Sequence, residues 1–189
     1  YQPKGVVGII GTWNAPLFTL LSPLASVFAA GNRAVLKPSE IAPRTAELLA
    51  RVVPEFFQPE ELAVVTGGPE VAAEFSQQAW NHLVFTGSTR VGKLIMKAAA
   101  ENLVPVTLEL GGKSPVLIGS GADIANAAER IAVGKSANSG QLCVSPDVVW
   151  VHESQAEALL ASLQTYYSGL FPSLADNADV VSVVNAQHF

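Results

Sequence analysis

Cysteine, methionine and charge are all scarce in this chain of 189 residues, which has one Cys, one Met and only 14% charged side chains. A single cysteine cannot close an internal disulfide, and with no secretory segment in view a reducing, cytoplasmic setting is the expectation. Basic runs are missing too. The 16 acidic and 11 basic residues give a net charge of −5, which argues against a nucleic-acid partner, because binding a polyanion draws on clustered Lys and Arg. No charged residue stands between Lys4 and Arg33, a gap long enough to weigh as a membrane span. Gly8, Gly11, Asn14, Pro16 and Pro23 interrupt it, so it reads instead as a short apolar strand, a turn and a helix, with no membrane crossing in this segment.

What is plentiful is apolar. Hydrophobic residues make up 49% of the chain and the mean hydropathy is +0.33, which implies surfaces made to be covered by other protein. The start at Tyr1 and the end at Asn185-Ala186-Gln187-His188-Phe189 read as those of a piece of a longer chain.

Short β-branched runs alternate with helix-length segments, the pattern of an α/β fold with a parallel sheet covered by helices. Strands are expected over 6–10, 34–37, 62–66, 82–85 and 106–109. The clearest helix spans about 89–101, with Val91, Leu94, Ile95, Ala98 and Ala99 on one face and Ser88 as its N-cap. Ser22-Pro23 offers another helix start, with Gly31 as a left-handed stop. After Pro115 a second pattern follows: a strand over 116–118, a helix over 123–136, a strand over 148–151 and a helix over 154–167. A Rossmann-like dinucleotide-binding domain over 1–113 and the start of a second α/β domain over 114–189 are therefore expected. The stretch 171–179 reads as a loop and the last ten residues as an unfinished element.

Five places carry candidate chemistry, each with an ordinary alternative. Phe85-Thr86-Gly87-Ser88-Thr89 joins a strand to an amphipathic helix and aims free N–H groups at one point, where Gly87 and Ser88 suit a pyrophosphate; a plain strand-to-helix turn looks the same. Lys37-Pro38-Ser39-Glu40 follows the second strand, where Lys37 and Glu40 can reach ribose hydroxyls; a solvated charged loop is the alternative. Glu109 ends an apolar strand, and apolar company would favour a proton acceptor at neutral pH; it also reads as a surface Glu or a partner of Lys113. Cys143, after Asn138-Ser139-Gly140-Gln141-Leu142, stands on a small-residue turn that can open its sulfur and aim its own N–H at a carbonyl oxygen; most free cysteines are inert core residues. Asn14, in Trp13-Asn14-Ala15-Pro16, offers an amide donor for an oxyanion, or simple turn chemistry. His82, His152 and His188 read as structural, which leaves a Cys-His hydrolase without support.

Taken together these motifs resemble the aldehyde dehydrogenase superfamily over essentially all 189 residues. The residues that carry the likeness are Gly11-Thr12-Trp13-Asn14, Gly31-Asn32, Lys37-Pro38-Ser39-Glu40, Phe85-Thr86-Gly87-Ser88-Thr89, Leu108-Glu109-Leu110-Gly111-Gly112-Lys113-Ser114-Pro115 and Asn138-Ser139-Gly140-Gln141-Leu142-Cys143. Their order and the 34-residue step from position 109 to 143 agree with the family. The resemblance implies Cys143 as nucleophile, Glu109 as base, and Asn14 with the Cys143 N–H at the oxyanion. It implies a dinucleotide, NAD first and NADP second, held by Lys37, Ser39 and Glu40 at the adenosine ribose, by Gly87 and Ser88 at the pyrophosphate, and by Thr12, Trp13 and Leu110. No metal is implied.

Many members carry Pro before the Trp-Asn pair, where this chain has Thr12, and the family's later motif that meets the nicotinamide ribose is absent from these residues. Gly11-Thr12-Trp13-Asn14 and Pro105-Val106-Thr107-Leu108-Glu109 resemble the branch of class 3, fatty-aldehyde and coniferyl-aldehyde enzymes. Ala98-Ala99-Ala100-Glu101-Asn102-Leu103 and Leu174-Ala175-Asp176-Asn177 look most like its coniferyl-aldehyde members. A small-molecule aldehyde substrate and a homodimer or larger homo-oligomer are what this likeness implies. An acylating semialdehyde dehydrogenase and a non-catalytic dinucleotide-binding module are the other readings left open.

Overall fold

The computed structural model describes residues 2–175, 177–186 and 188. Tyr1, Asp176, Gln187 and Phe189 lie outside the described residues, and so do the parts of the expected loop over 171–179 and closing stretch over 180–189 that fall on them. Contacts divide the chain into two units, Tyr1–Gly111 and Gly112–Phe189.

The first unit runs β1 (Val6–Ile10), α1 (Phe18–Ala29), β2 (Arg33–Lys37), α2 (Pro43–Phe56), β3 (Leu62–Val64), α3 (Pro69–Ser76), β4 (His82–Gly87), α4 (Thr89–Ala100) and β5 (Val106–Leu110). Its strands form one sheet in the order β3-β2-β1-β4-β5, and every neighbouring pair is parallel. Parallel neighbours need crossovers, and the helices supply them, so both faces of the sheet are covered. Ile9, Leu36, Leu20, Leu24, Leu49 and Val53 pack on the face under α1 and α2. Leu83, Phe85, Phe75, Ile95 and Ala99 pack on the face under α3 and α4. The chain is α/β with a parallel sheet, as its alternating pattern implied.

Local chemistry explains most boundaries. The Ser88 hydroxyl accepts from the Val91 N–H at 3.3 Å and caps α4. A Cβ at Gly92 would lie 2.8 Å from Leu110 Cδ2, so glycine is what lets α4 close on β5. The helix expected to begin at Ser22-Pro23 begins instead at Phe18, with Pro23 inside it. An interior proline removes one helical N–H, a cost of roughly 3 kcal/mol. The earlier start buries Leu20 completely, a gain of about 1.5–3 kcal/mol that offsets much of it. Gly31 does take the left-handed conformation, at φ 75°. β3 stops at Val64, two residues before the expected end.

The second unit runs β6 (Ser114–Ile118), α5 (Ile124–Ser136), a 3-10 turn over Ala137–Gly140, β7 (Pro146–Val151) and α6 (Glu153–Leu170). β6 and β7 pair in parallel, and one apolar cluster holds them to the helices: Ile118, Ala128, Ile131 and Leu159. Asp123 caps α5 by accepting from the Asn126 N–H at 3.2 Å, and His152 caps α6 by accepting from the Ser154 N–H. No helix among the described residues is long and apolar enough to cross a membrane.

Candidate active site

Every candidate residue of the first unit lies at the carboxyl end of a strand. Thr12, Trp13 and Asn14 follow β1, Ser39 and Glu40 follow Lys37 at the end of β2, Ser88 follows Gly87 at the end of β4, and Glu109 and Leu110 close β5. In a parallel sheet these ends share one edge. The strand order reverses direction between β1 and β4, and the crevice at such a reversal is where open α/β sheets take their ligands. Asn14 and Ser88 flank it.

The loop after β1 is pinned. The Thr12 N–H donates to Thr19 Oγ1 at 3.1 Å, and that hydroxyl donates to the Ala15 carbonyl at 3.0 Å. Trp13 and Asn14 are half-buried between these two fixed points. After β2, Lys37 is 1% exposed and its ammonium donates to Glu40 Oε2 at 3.1 Å. Burying an ammonium costs several kcal/mol in effective terms even after relaxation, so a solvated loop does not describe Lys37. Ser39 is buried as well, and its hydroxyl accepts from the Ile41 N–H.

Beside this pair lies a cleft of about 650 Å³ lined by Glu40, Ala46, Ala50, Arg51, Gly67 and Gly68, with Pro43, Glu47 and Thr66. Its walls are mostly small residues of α2 and of the loop after β3, so it can admit a flat ring, and its volume suits a small organic ligand. Apart from Glu40, sequence reasoning missed these residues. The signals were the Gly67-Gly68 pair after a strand and the i, i+4 spacing of Ala46 and Ala50 on one helix face.

Glu109 departs from the expectation of apolar company. The alternating pattern of β5 places Val106, Leu108 and Leu110 against the α4 core, while Thr107 and Glu109 are exposed. Glu109 pairs in register with Thr86 and so shares the sheet face of α1. Lys113 is not its partner; it pairs with Asp147, and that contact holds the Asp147 carboxyl below its ordinary value.

In the second unit Cys143 is exposed on the turn between the 3-10 segment and β7. Three residues in succession before it are left-handed: Asn138 at φ 50°, Ser139 at φ 54° and Gly140 at φ 75°. A non-glycine residue held there stores about 1–3 kcal/mol, which surrounding contacts must sustain. At Gly140 a Cβ would lie 3.3 Å from the Lys135 carbonyl, so that position needs glycine on both counts. The Cys143 carbonyl accepts from Ser114 Oγ at 3.1 Å, which fixes the peptide that follows the thiol. The histidines have structural partners: His82 Nε2 is 2.8 Å from Thr107 Oγ1, His152 caps α6, and His188 bonds Asn185 Oδ1.

With the strand-end cluster and the exposed thiol in place, comparison with known proteins decides the family. The profile of the aldehyde dehydrogenase family matches residues 1–189. The chain belongs to that family. It is 53% identical over its whole length to a probable coniferyl aldehyde dehydrogenase of Caulobacter vibrioides, of which it spans 39%. Among solved structures it resembles the substrate-bound state of Staphylococcus aureus AldH, with a TM-score of 0.91 and 39% identity, over 99% of this chain and 41% of that one. It also resembles a Mycobacterium tuberculosis aldehyde dehydrogenase complexed with NAD+, with a TM-score of 0.85 and 34% identity, over 98% of this chain and 39% of that one.

Proposed function

We propose that this chain carries the dinucleotide half and the nucleophile of an NAD-dependent enzyme that oxidises an aldehyde to a carboxylic acid. The observation that carries the reading is an exposed thiol on a strained, pinned turn, in a chain that the family profile matches from end to end.

The residues fit a dinucleotide. The small-walled cleft beside Glu40 has the size and shape for an adenine ring, Glu40 stands at its rim for the ribose hydroxyls with the Lys37 ammonium bonded to it, and Ser39 holds their loop. Gly87 and Ser88 open α4, whose free N–H groups and positive end favour a pyrophosphate. Thr12, Trp13 and Leu110 line the remaining strand ends. Glu40 disfavours a 2′-phosphate by charge, while its pairing with Lys37 softens that repulsion, so NAD is the first cofactor to test and NADP the second. When bound, the dinucleotide supplies the hydride acceptor.

The protein's own part begins at Cys143. Its thiolate attacks the aldehyde carbon, and the resulting oxyanion takes hydrogen bonds from the Cys143 N–H and the Asn14 amide. After oxidation a thioester remains on Cys143. Glu109 takes a proton from water, and that water cleaves the thioester to release the acid and the thiol. Release to water rather than to a carrier thiol separates this reading from an acylating enzyme. The likeness to a probable coniferyl aldehyde dehydrogenase makes an aromatic aldehyde such as coniferyl aldehyde the first substrate to test, with a fatty aldehyde second. A homodimer or larger homo-oligomer is the working form that the family resemblance supports, and the single cysteine favours a reducing, cytoplasmic setting for it.

The test is acid formation from an aldehyde with NAD, on the full-length protein. Cys143→Ser is expected to abolish oxidation while cofactor binding, followed by fluorescence titration, stays near the parent value. Substantial oxidation in that variant would remove Cys143 from its role. Thioester transfer to a carrier thiol without acid release would favour the acylating reading.

A further inference from the structure

We propose that Gln141 is a positioning residue, which holds the Cys143 turn in its left-handed form by clipping it to a strap formed by residues 181–184. The proposal rests on the reading of Cys143 as nucleophile. One side-chain amide makes three of the connections. Gln141 Nε2 donates to the Asn138 carbonyl at 3.0 Å and to the Ser182 carbonyl at 3.2 Å, while Gln141 Oε1 accepts from the Val184 N–H at 3.0 Å. The Gln141 N–H also donates to the Asn138 carbonyl at 3.1 Å, so the first residue of the left-handed stretch is held twice by the residue that follows the stretch. Ser139 adds a second stitch by donating its hydroxyl to the Val181 carbonyl.

The chemistry of the amide matters more than its size. Two donor bonds face two carbonyls and one acceptor bond faces an N–H, a pattern that a neutral amide meets in full, whereas a protonated carboxyl offers the acceptor and only one of the two donors. The left-handed residues end two positions before Leu142 and three before Cys143. Their conformation sets where the thiol and its N–H point. With the clip lost, the turn can relax toward ordinary backbone angles, and a displacement of about 1 Å at a reacting group costs on the order of 100-fold in rate.

The experiment uses the full-length protein with Gln141→Met, which keeps the length and removes all three bonds, and Gln141→Glu, which keeps an acceptor and regains one of the two donor bonds only when its carboxyl is protonated. Two readouts are taken: kcat for aldehyde oxidation, and the rate of alkylation by iodoacetamide of the peptide that contains Cys143, without cofactor and followed by mass spectrometry. Gln141→Met is expected to lower kcat by about 100-fold and to change the alkylation rate, with the KM for NAD unchanged. For Gln141→Glu the ratio of variant to parent rate is expected to rise as pH falls from 8 to 5.5. A Gln141→Met protein that matches the parent in both readouts overturns the proposal. If Gln141→Met is generally destabilised, the Gln141→Glu ratio decides, and a ratio flat with pH overturns it. Oxidation that persists in Cys143→Ser marks failure of the nucleophile reading instead.

Discussion

The sheet of β1–β5 buries apolar side chains on both faces, Ile9 and Leu36 toward α1 and α2, Leu83 and Phe85 toward α3 and α4. The β6–β7 pair buries one. Pro115 and Leu117 pair in register with Val148 and Trp150, and on that shared face Leu117 is 78% and Trp150 64% exposed. The chemistry divides in the same way. The first unit carries polar groups on strand ends of a sheet packed on both sides, which holds them still, whereas the second carries a thiol on a turn whose strained backbone depends on a few hydrogen bonds. Within this chain, which spans 39% of the probable coniferyl aldehyde dehydrogenase it matches, packing holds the groups of the first unit and hydrogen bonds hold the Cys143 turn.

The sharpest way to break this comparison is to separate capture of the aldehyde from release of the acid. Glu109 belongs to the packed unit and Cys143 to the clipped one. In the full-length protein, Glu109→Gln is expected to leave the thiol able to form its thioester, visible as a burst of one equivalent of reduced cofactor on rapid mixing. Steady turnover should fall by about 100-fold to 10,000-fold, the usual contribution of a positioned general base. An unchanged steady rate would mean that another group activates the water.

Packing gives the next largest effect. Leu36 is fully buried in the first unit, and Leu36→Ala is expected to cost about 2–5 kcal/mol, the range for emptying a core leucine site. In the 189-residue chain Leu117→Ser should stay within roughly 0.5 kcal/mol, because its side chain is already in water. Denaturant unfolding of both variants checks the pair. Equal costs would mean that the two units are not packed as differently as they look.

The same contrast explains what could be read from the sequence. β1, β2, β4 and β5 were legible because β-branched runs, turn residues and a capping serine are local signals, and Ser88 caps α4 as its position suggested. The start of α1 was not, because burial of Leu20 overrode the local preference of Pro23 for a first turn. The environment of Glu109 was misread because an apolar run was taken as surrounding it, whereas strand alternation puts Val106, Leu108 and Leu110 on the opposite face. The cleft beside Glu40 was invisible because its walls come from α2 and from the loop after β3. Gln141 was quoted only as part of a motif, since its partners Ser182 and Val184 lie 41 and 43 residues along the chain.

The smallest effect compares the two units by their response to acid. In the first, His82 Nδ1 lies 3.2 Å from the Lys4 ammonium, which has only protons to offer, so Nδ1 accepts and Nε2–H donates to Thr107. Burial, and then the Lys4 charge, push the His82 pKa below its ordinary 6.5. Below pH 6.5 the unfolded chain therefore takes up a proton that the folded one resists. The stability from neutral His82 is complete above that pH and is lost as pH falls toward the folded value. In the second unit the hydrogen bond from Lys113 lowers the Asp147 pKa below 3.8, so its contribution is present above 3.8 and fades only in stronger acid. The His82 window opens at pH 6.5 and the Asp147 window only at 3.8. Between pH 7.5 and 5, His82→Gln is expected to flatten the pH dependence of unfolding free energy by no more than about 1 kcal/mol, because the ring stays partly in contact with water. Asp147→Asn should leave that interval unchanged. Urea unfolding at the two pH values measures both, and an unaltered slope in His82→Gln would assign the acid response to another group.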